Sequence, residues 1–388
     1  MRSEKIIRAT APGSVMLLGE HAVLRGKQAI VAAVDRRIHV TLRPRADRRI
    51  VVASDLGNSA TSVEECRLPP PLRFVQASLR HHQTALPNGM ELTITSDLPA
   101  AAGLGSSAAV TAAVLGAVRA WLNLVDSPPQ AAESPYSARS GSFGPRSATS
   151  CLPCLPHRGS TGASSCSRKA VRSPKSIEQG SPQSTGAIAR TLCGAKQSEN
   201  FLGLNEAVAV IRRVQGMGSG ADAAASLFGG TLLFQSHPAP TVAERFDQAP
   251  PIVLCASGAK TPTPRVVEHV EQFRRQHPRV VDAIDSAIHQ TVIEAASAIK
   301  RADWPSLGRL FNVNHGLMNA LGVSNALLEE MVQALRGEPT IHGAKISGAG
   351  LGDCVVGLGR ITSPQWPSEI ISGNITNKGL VIDTWPNS

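Results

Sequence analysis

Apolar and polar residues alternate along Met90-Glu-Leu-Thr-Ile-Thr-Ser, and that alternation predicts a half-buried strand. From Val110 to Leu124 the pattern becomes rich in Ala, Val and Leu, which predicts a buried helix. Short apolar runs at Ile6 to Arg8, Val15 to Leu18, Ala29 to Val34 and Ile38 to Leu42 predict a strand-rich opening. Further on, Thr231-Leu-Leu-Phe and Ile252-Val-Leu-Cys read as strands. His277 to Met331 reads as largely helical, with Leu307, Leu310, Phe311 and the run Asn314 to Leu321 recurring at spacings of three and four. Ile341 to Leu358 reads as strand, glycine loop, strand. The mixture predicts an α+β chain, and its 388 residues favour two domains.

Periodicity disappears between residues 126 and 199. This stretch is rich in Ser, Pro, Arg and Gly, and it carries nine Lys and Arg against four Asp and Glu, half of the formal +10 of the chain. It also holds Cys151, Cys154, Cys166 and Cys193, four of the seven cysteines. Packed domains have few unstructured loops beyond about 15 residues, so the stretch reads as an insertion or disordered linker. Cys151-x-x-Cys154 followed by His157 points to zinc, but a well-spaced second pair is missing. A nucleic-acid-binding tail is disfavoured by the scattered charge and by an aromatic content of 3%. The preferred reading is a frame-shifted or mis-joined stretch, because patterned sequence resumes near Asn205.

With 42% hydrophobic residues the chain can bury a large core. No apolar run reaches the roughly 18–20 residues that span a bilayer, and the opening Met1-Arg-Ser-Glu-Lys-Ile-Ile-Arg is no signal peptide. The cysteine spacing suggests no disulfide framework, so a cytoplasmic protein is expected.

The candidate chemistry begins at Pro99-Ala-Ala-Ala-Gly103-Leu104-Gly105-Ser106-Ser107-Ala108, a glycine turn between the strand ending near Ser96 and the Ala-rich helix. Glycines allow a tight turn and close approach to a ligand. The first amides of the helix lack internal partners and face an anion. The hydroxyls of Ser106 and Ser107 add groups for phosphate oxygens or magnesium. The alternative is a Gly-Ser turn that only caps a helix. Three further glycine-bearing segments stand apart from the rest: Ala11-Pro12-Gly13-Ser14-Val-Met-Leu-Leu-Gly19-Glu20-His21-Ala22-Val23, Gln215-Gly216-Met217-Gly218-Ser219-Gly220-Ala221-Asp222, and Lys345-Ile-Ser347-Gly348-Ala349-Gly350-Leu351-Gly352-Asp353-Cys354. Asp222 in its turn either faces a site or caps the helix that follows.

Taken in order, these four segments resemble the superfamily of galactokinases, homoserine kinases, mevalonate kinases and phosphomevalonate kinases (GHMP kinases), and most of all its mevalonate kinase branch. The resemblance covers residues 7–124 and 205–360. It implies a ribosomal-S5-like N-terminal domain and a ferredoxin-like C-terminal domain, here 1–235 and 236–388, with the active site in the cleft between them. It implies ATP along Pro99, Gly103, Leu104, Gly105, Ser106, Ser107 and Ala108, closed over by Gly348 and Gly350, with Ser107 on Mg2+. Asp222 is then the catalytic base, and Glu20, His21 and Ser219 contact a small anionic alcohol such as mevalonate. A homodimer is compatible with this reading. Phosphomevalonate or a sugar is the alternative acceptor, and a catalytically impaired ATP-binding member is the alternative class.

Three departures qualify that expectation. Ser14 stands where the family usually has a lysine that pairs with the catalytic aspartate, so another basic residue must enter the site or catalysis weakens. Arg25 and Lys27 are nearby in sequence. Ile211 stands where animal mevalonate kinases carry a magnesium-binding glutamate, and Glu206 is poorly spaced to replace it. Ser107 and Asp222 are 115 residues apart, wider than the family's interval. Lys345 is read as a positive charge near the loop or a solvated strand end.

Overall fold

The structure is a computed structural model, and it describes residues 5–99, 102–122, 196–361, 370–371 and 373–386. The segment read as a mis-joined stretch, with Cys151, Cys154 and His157, lies outside the described residues, as do 123–195 generally. The first part of the chain forms β1 (Lys5–Leu18), β2 (Gln28–Pro44), β3 (Arg49–Ser54), β4 (Ser59–Ser62), α1 (Arg73–His81), β5 (Met90–Ser96) and α2 (Ser106–Trp121). After residue 195 come α3 (Lys196–Gln215), α4 (Ala221–Phe228), β6 (Thr231–Gln235), β7 (Thr241–Phe246) and β8 (Ile252–Ala256). Four helices follow: α5 (Thr263–Gln276), α6 (Pro278–Lys300), α7 (Trp304–Ala320) and α8 (Ala326–Gly337). The chain closes with β9 (Ile341–Ser347), β10 (Cys354–Gly359), β11 (Ile370–Ile371) and β12 (Val381–Pro386).

The strands make two sheets. The larger runs β12-β1-β2-β5-β3-β4, with β6 also on β2 and β7 on β6; the smaller runs β11-β8-β10-β9. The smaller sheet is antiparallel throughout, whereas the larger contains one parallel pair, β3 with β5. β2 is long enough to serve two partners: Ile38 to Pro44 pair with β5, and Gln28 to Ala32 with β6. The α+β expectation holds. The four apolar runs of the opening are two continuous strands, whose register shifts between Pro12 and Gly13 and between Met16 and Leu18. A bulge bends a strand without ending it, which is why polar and glycine interruptions looked like strand ends.

α2 packs on β1 and β2. Its Ala108, Ala112, Ala113, Val114, Ala117 and Val118 are buried, so its mixed apolar surface faces neighbours on several sides. Small side chains allow close approach, and at Gly116 a Cβ would lie 2.8 Å from the Leu380 side chain just before β12. α7 and α8 cover β9 of the smaller sheet. Asn325 begins α8 by accepting the Leu328 amide at 3.0 Å, and Asp303 begins α7 by accepting that of Ser306 at 3.1 Å.

Candidate active site

The glycine turn lies directly on β1. Ser14 donates its amide to the Leu104 carbonyl at 3.0 Å, just past the bulge at Gly13. A Cβ on Gly105 would fall 2.0 Å from Ser14 Oγ, and Gly103 and Gly105 hold φ of 68° and 64°. Both the space and the left-handed backbone demand glycine here. Gly105 is the residue before α2, and its carbonyl accepts the amides of Ala108 and Ala109. Ser106 and Ser107 occupy the first turn, where amides have no acceptor within the helix. Leu104 and Ala108 are buried side chains that anchor the turn, and Pro99 is half-buried at its entrance.

Asp222 sits in the first turn of α4, opposite β1, and Ser14 Oγ donates to its Oδ1 at 2.7 Å. The capping position belongs to Gly220 at φ 96°, and Ser219 Oγ accepts the Ala221 amide at 3.2 Å. Asp222 is therefore not the residue that caps the helix. Burial raises its pKa above the ordinary carboxylate value, opposed by the Ser14 hydrogen bond and the charge of Lys260. A carboxylate held this way is more basic than one in water, and its Oδ1 has its direction set by Ser14.

The C-terminal glycine loop completes the group. Asp353 takes a left-handed φ of 65°, and its side chain is packed against Gly103, where a Cβ would come 2.4 Å from Asp353 Cβ. Asp353 is 5% exposed, and its Oδ1 has no hydrogen-bond partner. Burial pushes its pKa up to about 6, with the Lys260 charge opposing and the Asp222 charge reinforcing the rise. Lys260 Nζ lies 3.9 Å from Asp353 Oδ1. Asp353 and Lys260 were not singled out from the sequence, although an acid inside a glycine loop was a usable signal.

Glu20 and His21 are turned into the protein. Glu20, 2% exposed, pairs with Lys345 and accepts from Asn314 Nδ2 at 3.3 Å. Lys345 is fully buried at 0% exposure, which corrects its reading as a solvated strand end. His21 Nε2 donates to the Ala349 carbonyl at 2.8 Å, tying the end of β1 to the glycine loop. Burial lowers the His21 pKa to about 4, so the ring is neutral with its proton on Nε2. Ser219 lines a separate cavity of about 260 Å³ with Arg212, Met217, Leu24 and His237. Ile211 is packed in the core beneath this turn, 3.3 Å from where a Gly218 Cβ would be. Glu206 is engaged by Arg119 through both oxygens at 2.8 Å and does not replace the missing acid. Arg25 pairs with Asp285 on α6, and the charge of Lys27 falls on His289 of the same helix.

Residues 72–142 match the GHMP kinases N terminal domain, and residues 295–365 match the GHMP kinases C terminal domain. The chain is 27% identical to the mevalonate kinase of Thermococcus sibiricus, with 97% of this chain and 95% of that protein covered. It is 28% identical to the mevalonate kinase of Archaeoglobus fulgidus, over 92% of this chain and 94% of the other. Its fold is similar to the crystal structure of Methanococcus jannaschii mevalonate kinase, with a TM-score of 0.64 at 18% identity, covering 96% and 99% of the two chains.

Proposed function

The chain belongs to the GHMP kinase family, and on that premise we propose that it transfers the γ-phosphoryl group of ATP to the primary hydroxyl of mevalonate. The observation that carries the reading is the convergence of the 103–107 turn, Ser14, Asp222 and the 348–353 loop. ATP phosphates lie against the amides at the start of α2. With Oδ1 of Asp222 held by Ser14, Oδ2 takes the hydroxyl proton of the acceptor. The hydroxyl oxygen then bonds to the γ-phosphorus, the bond from that phosphorus to the bridging oxygen breaks, and ADP leaves. Phosphoryl transfer of this kind depends on positioning and charge stabilisation, which buried, preorganised groups supply.

Glu20 and His21 act one step removed, by holding the loop and the end of β1 in place. The donors present near the turn are oxygens, the Ser106 and Ser107 hydroxyls among them, which suit a hard divalent cation. Ser107 would help to hold magnesium beside ATP, and the ion would supply neutralisation of phosphate charge. Among the described residues no helix is long and apolar enough to cross a membrane, and Cys66, Cys255 and Cys354 are buried.

The test is ADP release from Mg-ATP with and without mevalonate. Mevalonate-dependent turnover is expected, and Asp222→Asn should lower it about a hundredfold or more. Silence with mevalonate despite ATP binding overturns the substrate assignment, and full activity in the variant removes Asp222 from the proton transfer.

A further inference from the structure

The transferring phosphoryl group needs a cation, and the position that usually supplies one is Ser14, a neutral residue with 0% exposure. Its hydroxyl is already given to Asp222. Lys345 is paired with Glu20 and Arg25 with Asp285, and the charge of Lys27 falls on His289 of α6. Lys260 is placed differently. It follows β8 in a turn fastened to the glycine loop, with the Asp353 amide donating to Ala259 O at 2.8 Å and the Ser257 amide to Asp353 O at 2.9 Å. Thr261 Oγ1 adds a bond to Leu351 O at 2.7 Å. The backbone of Lys260 is thus fixed on the loop that meets Gly103.

Its side chain remains movable. The ammonium is 3.9 Å from Asp353 Oδ1, an ionic approach rather than a hydrogen bond, and the side chain is 45% exposed. A lysine is a point charge on a flexible four-carbon stem, suited to following a group that moves during reaction. The charge of Lys260 also acts on both carboxylates of the site, the half-buried Asp222 and the buried Asp353.

We propose that Lys260 is a catalytic residue that contacts the phosphoryl group in transfer and supplies the positive charge absent at Ser14, with Asp353 as the positioning residue that keeps it over the glycine turn. This rests on the kinase reading but not on the identity of the acceptor. Lys260 makes and breaks no covalent bond. It offsets negative charge on the phosphoryl oxygens while the acceptor proton goes to Asp222.

The experiment compares wild type, Lys260→Met and Lys260→Arg for binding of a fluorescent ADP in the presence of magnesium, with and without aluminium fluoride as a mimic of the transferring group. Aluminium fluoride should tighten ADP binding to the wild type, and Lys260→Met should lose roughly tenfold or more of that gain while binding ADP alone normally. Lys260→Arg should keep most of it, and both variants should melt as the wild type does. In turnover, Lys260→Met should lower kcat about a hundredfold with little change in KM for ATP. Equal affinities of wild type and Lys260→Met with aluminium fluoride overturn the proposal. Failure of mevalonate as acceptor appears separately, as wild-type protein without mevalonate-dependent ADP release, and leaves the binding comparison decisive for Lys260.

Discussion

His21 illustrates how burial and packing set the state of a single side chain. Its backbone takes a positive φ of 58°, which a non-glycine residue adopts only when the surroundings enforce it, and its ring donates to the glycine loop at Ala349. Because burial lowers its pKa from 6.5 to about 4, the unfolded chain binds a proton between those values that the folded protein does not. Stability from this residue is therefore full above pH 6.5 and falls as the pH drops toward 4, by on the order of 3 kcal/mol. Urea unfolding at pH 4.5 and pH 7 should show a flatter pH dependence for His21→Gln than for the wild type. At this scale the sequence was informative where chemistry is local. Gly103, Gly105 and Asp222 stood out because turn geometry and acid placement are written in neighbouring residues. Lys260 and Asp353 did not, since their meeting with Gly103 depends on contacts between segments far apart in the chain.

Whole elements meet the site at their ends. β1 delivers Ser14 at a bulge, α2 delivers two serine amides at its first turn, α4 delivers Asp222 likewise, and the link from β9 to β10 delivers Asp353. The turn before α2 tolerates no side chain: Gly105→Ala places a methyl 2.0 Å from Ser14 Oγ at a φ of 64°. Gly105→Ala should destabilise the fold by about 1–3 kcal/mol and weaken ATP binding, measured by thermal melting and by nucleotide titration. Gly316→Ala in α7, where nothing lies within 4 Å of the added methyl, is the control and should be neutral or slightly stabilising. The alternation in Met90 to Ser96 matched β5 because that strand has one face buried and one open. β1 and β2 were each read as two strands because their polar interruptions are bends within a continuous ladder.

Across the molecule, the buried pair of Glu20 and Lys345 connects the end of β1 with β9, and Asn314 of α7 joins it. Two charges removed from water stabilise each other only as a pair, so breaking one side exposes the other to a strong desolvation penalty. Glu20→Leu or Lys345→Met alone should cost about 3–5 kcal/mol in chemical denaturation, whereas the two combined should cost much less than their sum. No sequence pattern announced this link, because a lone Glu and a lone Lys at strand ends usually face solvent. The two-sheet architecture, likewise, followed from the family resemblance and not from periodicity, which marks elements without ordering them in a sheet.

The last strand carries one more consequence. β12 pairs with β1 from Lys5 opposite Pro386 to Thr10 opposite Val381, while Leu380 and Ile382 press on Gly116 of α2. During translation β1 therefore emerges first and waits for its neighbour until nearly every other described residue has been made. A nascent chain held on the ribosome carries an open strand edge, and an open edge invites pairing with other chains. Stalled or prematurely terminated products that end before Val381 would keep that edge, which makes them natural clients of chaperones and proteases rather than weak enzymes.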